Sequence, residues 1–117
     1  MYKKVKWPGG ALLAPVPAVL VTCGNEKSSN VCTVAWTGIL NTIPAKTYIA
    51  VRKERFSYNL IKNSGEFAIN LTTKDLVKAT DFCGVRSGKD INKFKVMNLT
   101  KQKANEISCP IIGESPV

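Results

Sequence analysis

The sequence predicts a mainly β fold, an antiparallel barrel with short helical insertions, and three observations carry that prediction. Two apolar runs, residues 18–23 and 31–36, flank a polar turn cluster at 24–30, which is the pattern of a β-hairpin. Residues 47–53 and 67–72 alternate with a period of two: Ile49 and Val51 oppose Tyr48, Ala50 and Arg52, and Phe67, Ile69 and Leu71 oppose Ala68, Asn70 and Thr72. Helical patterns interrupt the strands only twice and without regular βαβ alternation, which argues against a doubly wound parallel sheet.

The chain has 117 residues, the size of one compact domain, so residues 1–117 are read as a single unit. With 44% hydrophobic and 21% charged residues it is an ordinary globular composition, able to build a core without staples. At its start, Lys3, Lys4 and Lys6 precede the apolar run 11–23, superficially a leader peptide. Pro15 and Pro17 would break the helix of such a leader and no A-x-A site follows, so the run is read as a buried strand. It is also too short to span a bilayer as a helix, and no membrane partner is expected.

After the hairpin and the strand at 47–53, Ser57 and Gly65 bracket a short helix over about 58–64, Ser57 acting as N-cap and Gly65 as C-cap. After the strand at 67–72, Thr72-x-x-Asp75 has the form of a capping box. The helix it opens places Leu76, Ala79 and Cys83 on one face and stops at Gly84. A last short turn is expected beyond Asp90.

Seventeen Lys and Arg against eight Asp and Glu give a net charge of +9, so a partner found by electrostatics is anionic. The absence of His excludes Ser-His-Asp and Cys-His catalysis and every His-containing metal site within the chain. Cys23, Cys32, Cys83 and Cys109 have neither CxxC nor zinc-ribbon spacing, so no metal is expected and the thiols are read as buried and reduced, as in a cytoplasmic protein.

Three segments could carry chemistry. In Val51-Arg-Lys-Glu-Arg-Phe-Ser57, a strand ends, three cations gather and a helix opens; its unpaired N–H groups and dipole favour an anion such as a phosphate. A solvated basic loop with an ordinary cap accounts for this segment equally well. Asn30-Val-Cys-Thr-Val-Ala-Trp-Thr-Gly38 offers an aromatic followed by small residues where a planar group could approach the backbone, although Trp36 alone reads more readily as core. Ser87-Gly-Lys-Asp-Ile-Asn-Lys-Phe94 places Lys93 beside an aromatic after a tight turn.

Taken in order, these segments resemble the flavin reductase-like, FMN-binding split-barrel proteins, the group that includes flavoredoxin. The likeness runs from Pro15-Val-Pro-Ala-Val-Leu-Val-Thr22 through the Asn30 and Arg52 segments, Glu66-Phe-Ala-Ile-Asn70 and Asp81-Phe-Cys-Gly84 to the Ser87 segment, nearly the whole chain. It implies a split β-barrel of Greek-key type that pairs with a second copy, with noncovalent FMN near the interface. By that resemblance Asn30, Thr33 and Trp36 lie along the flavin and its ribityl chain, and the N–H groups of Val34, Ala35, Trp36 and Thr37 face the ring. Ser57 with Arg52, Lys53 and Arg55 holds the phosphate, and Lys93 approaches from the other side. It further implies strands beyond Ser115-Pro116 that this chain does not contain, and NAD(P)H or a partner protein as electron donor. No Gly-rich dinucleotide fingerprint independently marks an NAD(P)H site. Two other classes remain: an electron carrier without NAD(P)H activity, and a basic nucleic-acid-binding barrel, against which the scattered cations speak.

Overall fold

The computed structural model describes residues 1–117. β1 (Val19–Gly24) and β2 (Ser29–Val34) form the expected hairpin, with Val19 opposite Val34 and Gly24 opposite Ser29. Its turn is closed by Asn25, whose Oδ1 accepts from the N–H groups of Lys27 and Ser28 at 3.0 and 2.9 Å. The apolar run upstream behaves differently from its sequence reading. Residues 11–18 are exposed and outside any strand, because Pro15 and Pro17 have no N–H for a ladder; the buried strand begins only at Val19.

A second hairpin, β3 (Thr37–Asn41) with β4 (Lys46–Ile49), follows directly from the first. The sequence suggested one longer strand at 47–53, but pairing ends at Ile49, and Val51–Arg55 turns instead, with the Arg55 N–H donating to Arg52 O at 3.0 Å. β5 (Ala68–Asn70) joins the other edge of β1, giving a three-stranded sheet in the order β2-β1-β5. The face expected to be polar is the one most deeply placed: Asn70 is buried, whereas Leu71 is exposed. Asn70 Nδ2 donates to Leu20 O at 3.0 Å and Thr22 Oγ1 at 3.1 Å, and its Oδ1 accepts from Ile112 N at 2.9 Å, so the amide ties β5 to β1 and to the C-terminal strand.

α1 (Phe56–Ser64) starts two residues earlier than predicted and ends at Gly65, whose N–H reaches Ile61 O at 2.7 Å. Its N-cap is Arg55, without a side-chain cap, and Ser57 lies inside the first turn. A 3-10 turn (Lys74–Leu76) leads into α2 (Val77–Val85); the capping box is not formed, because the N-cap position falls on Thr73, which makes no side-chain cap, while the Thr72 hydroxyl donates to Ala18 O at 2.7 Å. The predicted helix face is correct: Leu76, Ala79 and Cys83 pack with Leu20, Val31 and Phe94 in the main core. α3 (Lys93–Val96) is capped by Asn92, and β6 (Lys101–Gln102) pairs with β7 (Ile111–Ile112).

The strands therefore form three separate antiparallel sheets of three, two and two strands, and no closed barrel. A smaller core of Val19, Val21, Cys32 and Val34 covers the opposite face of the central hairpin. All four cysteines are free and buried. No helix is long and apolar enough to cross a membrane.

Candidate functional site

Two adjoining cavities open where β2, the 51–55 turn, α1 and the loop after α2 meet. The first, of about 210 Å³, is walled by Asn30, Arg52, Arg55, Ser57 and Lys93 together with Arg86, Ser87 and Gly88. The second, of about 380 Å³, is more apolar and is walled by Thr33, Val34, Ala35 and Trp36, with Ala50 and Val51 opposite. Cys32, Arg52 and Arg55 line both. The fold thus gathers nine of the eleven candidate residues around one cleft. Thr37 and Lys53 line neither cavity. The Thr37 hydroxyl donates to Tyr48 O at 2.7 Å within the second hairpin, and Lys53 lines a neighbouring groove with Asn59 and Leu60 that shares Glu54, Arg55, Phe56 and Ser87 with the first cavity.

The polar floor of the first cavity is built from residues far apart in sequence. Ser57 is fully buried, and its Oγ accepts from Asn30 Nδ2 at 2.8 Å. Its position in the first turn of α1 keeps it beside the helix's unpaired N–H groups, so leaving the N-cap position does not remove it from the positive end of the dipole. Arg55 is drawn toward α2, its Nη1 donating to Gly84 O at 3.2 Å. Of the residues around this cavity, Glu54 alone carries a carboxylate, against four cations.

Lys93 is the most unusual member. It is 3% exposed, and its Nζ donates to Cys83 O at 2.8 Å, the one acceptor it has on the protein. An ammonium has three donors, and a buried charge without a counterion is costly. Burial accordingly holds the Lys93 amine below the ordinary lysine value; the nearby thiols oppose this shift and Arg55 adds to it. Burial also pushes the Cys83 and Cys23 thiols up to about 11. Both are therefore protonated at neutral pH and act as packing, Cys23 pointing its Sγ at Asn30 O and Ser57 O.

In the second cavity the chain bends between two ladders. Ala35 and Trp36 belong to neither β2 nor β3; the Trp36 carbonyl accepts from Ala50 N at 2.8 Å, while neither residue's N–H has a turn or loop backbone acceptor. The Trp36 indole, expected on its own to be core, is 54% exposed and forms part of the wall. Thr33 is held against α2 by a hydrogen bond from its hydroxyl to Thr80 O, with Gly84 packed beside it. The arrangement is a cationic, hydrogen-bonding end joined to an apolar end with an aromatic rim.

The family model described as "Flavin reductase like domain" matches residues 12–117. The chain belongs to that family. This flavin reductase-like domain superimposes on the structure of flavoredoxin of Desulfovibrio vulgaris with a TM-score of 0.85 and 30% identity, over 95% of this chain and 62% of that one. An FMN-binding domain of a flavin reductases-like enzyme from Shewanella baltica matches with a TM-score of 0.79 and 25% identity, over 85% of this chain and 52% of that one. An uncharacterized protein of Archaeoglobus fulgidus is 32% identical over 102 residues, 87% of this chain and 57% of its own length. The chain spans less than two thirds of the length of each of these relatives.

The flavin reductase-like site also contains Arg86, which sequence reasoning did not single out, and Ser87 and Gly88, which it read as the turn leading to Lys93 and not as a wall of the site. All three line the first cavity with Asn30 and Ser57, α2 having ended at Val85. Gly88 lies so close to Asn30 that a Cβ there would stand 2.6 Å from Asn30 Cγ and 2.8 Å from Nδ2. The Arg-Ser-Gly order directly after a helix was the available signal for this second wall.

Proposed function

We propose that this chain is the FMN-binding part of a flavoprotein oxidoreductase, either a flavin reductase using NAD(P)H or a flavoredoxin-type electron carrier. The observation that carries the reading is Lys93: a buried ammonium with a single protein acceptor, beside a cavity lined by Arg52, Arg55, Arg86 and Ser57. A phosphate monoester there would supply the missing counter-charge and acceptors, and the adjoining apolar cavity with Trp36 on its rim suits a planar ring. The residues present therefore fit FMN.

Bound flavin would supply the two-electron redox chemistry, and the chain's own residues bind and orient it. Arg52, Arg55 and Ser57 hold the phosphate end, and the Asn30–Ser57 hydrogen bond fixes both polar groups in place before the ligand arrives. Lys93 would bring positive charge to the site, and the N–H groups of Ala35 and Trp36, in the wall of the second cavity, would offer donors to a ring held there. Of the four N–H groups assigned from the resemblance, those two have the weaker claim on ladder partners, since Val34 and Thr37 lie within strands.

A homodimer is part of the same proposal. The β3–β4 hairpin leaves Ile39, Leu40 and Ile43 exposed, as Trp36 is just before it, apolar side chains that an association between copies would cover. A second copy covering it would also exclude water from the cavity at Trp36.

The test is an absorption spectrum of the purified protein after FMN addition and desalting, with eluted mass from light scattering. Retained flavin bands on a dimer are expected, and Ser57→Ala combined with Arg55→Gln should weaken retention. Unchanged FMN affinity in that double variant would show the phosphate assignment to be wrong. Steady-state NAD(P)H oxidation then separates reductase from carrier.

A further inference from the structure

A third cavity, of about 560 Å³, runs along the outer flank of α2 and is larger than either cavity of the cleft. Thr33 and Gly84 line it and the apolar cavity at Trp36 alike, so a single layer of residues separates the two spaces. That layer is tightly packed, since a Cβ on Gly84 would stand 3.3 Å from Thr33 Cβ. On the α2 side, Val77, Asp81 and Val85 follow one another at i, i+4 and i+8 and form one stripe of the wall, apolar at both ends with a carboxylate between. Both valines are exposed. Asp81 opens the Asp81-Phe-Cys-Gly84 segment, and the cleft makes no use of its carboxylate.

The charge of this wall is opposite to that of the rest of the site. Arg52, Arg55, Arg86 and Lys93 wall the first cavity, and Lys27, Lys89 and Lys101 gather around a hollow beyond Lys93, whereas Asp81 is the one charged residue here. Hydrogen-bonding capacity is one-sided as well. A threonine hydroxyl has one donor, and three of the four threonines in the wall have committed it to the backbone. Thr33 donates to Thr80 O, Thr72 to Ala18 O at 2.7 Å, and Thr80 to Leu76 O at 2.8 Å. Their oxygens remain as acceptors beside the Asp81 carboxylate. A ligand that brings positive charge and N–H donors together matches such a wall.

We propose that this cavity binds an organic cation with N–H donors, a primary amine or amidine carried on an apolar, ring-sized body. The cationic group pairs with Asp81 and the threonine oxygens, and the apolar body lies on Val77 and Val85. The same carboxylate repels anions, so the cavity selects a ligand of opposite charge to the phosphate that the cleft suits. The place of this ligand beside a flavin ring rests on the flavoprotein reading, since Thr33 and Gly84 are shared with the cavity assigned to the ring.

The experiment compares the protein with its Asp81→Asn variant, Asp81 being exposed and outside both cavities of the cleft. Benzylamine, benzyl alcohol and benzoate are titrated by calorimetry into each protein, flavin-free and FMN-loaded. FMN affinity stays unchanged in the variant, which shows that it is folded. Benzylamine binds the parent more tightly than benzyl alcohol does, benzoate does not bind, and Asp81→Asn weakens benzylamine by about fivefold while leaving the alcohol unchanged. On FMN-loaded protein, benzylamine also shifts the flavin absorption bands. Equal affinity of the amine for the two proteins, equal affinity of the parent for amine and benzoate, or a parent that binds no amine overturns the proposal. Flavin bands that stay fixed while the amine binds overturn its place beside the ring. If the parent protein fails to bind FMN, the flavoprotein reading fails, and the flavin-free titrations decide the α2 cavity by the same comparison.

Discussion

Gly88→Ala tests the site at its tightest point. A methyl group there would sit 2.6 Å from Asn30 Cγ and 2.8 Å from Nδ2, and closer still to Oδ1, so the whole amide has to move. Asn30 is 4% exposed and its Nδ2 is engaged to Ser57 Oγ at 2.8 Å, so movement breaks a buried hydrogen bond and leaves at least one of its partners unsatisfied. That loss costs about 1–3 kcal/mol. Because the same two side chains form the floor of the phosphate cavity, FMN affinity should fall by roughly 5- to 150-fold, the equivalent of that energy. The assay is equilibrium titration of the protein and the variant with FMN, alongside urea denaturation without ligand. An affinity within twofold of the parent, with an unchanged denaturation midpoint, would refute the claim that Asn30 and Ser57 form a preorganised floor.

Three further outcomes follow from named groups. Asn70→Leu keeps the volume but leaves the buried Ile112 N–H without its acceptor, which should cost about 1–3 kcal/mol in urea denaturation; a loss below half of that would show that β7 is not anchored through this amide. Lys93 binds fewer protons in the folded protein than in the unfolded chain between its lowered value and about 10.4, so an anionic ligand must return a proton to it in that window. FMN affinity should therefore fall as pH rises through the alkaline range, and Lys93→Gln, itself a weaker binder, should lack that fall. Cys23 and Cys83, raised to about 11, hold protons that an unfolded chain loses near 8.5, so they lower folding stability as pH rises from about 8.5 to 11. Below that range both should resist iodoacetamide in the folded protein and react once it is unfolded in urea; rapid labelling of the native protein at pH 7.5 would contradict their burial.

Local signals were enough for the first hairpin, α1 and the buried face of α2. Two apolar runs around a turn cluster, a helix ending in Gly65, and Leu76, Ala79 and Cys83 at helical spacing each encode an element within a window of ten or so residues. The ordered set of segments was also legible, and with it the family and nine of the residues that the cleft brings together. Tertiary structure decided what depended on competition for partners. The turn at Lys74 took Thr73 as its N-cap while the Thr72 hydroxyl bonded Ala18 O across the fold, and Ser57 bonded Asn30 from inside α1 instead of capping it. Asn70 went to the interior because three elements needed one amide between them, a demand that alternation along a single strand cannot express. Likewise the burial of Lys93 and the gathering of Lys27, Lys89 and Lys101 around one hollow depend on segments meeting across the fold. Composition fixes the excess of positive charge along the chain; long-range packing determines where that charge converges, since desolvation and Coulomb interactions depend on distance in space and not on separation in sequence.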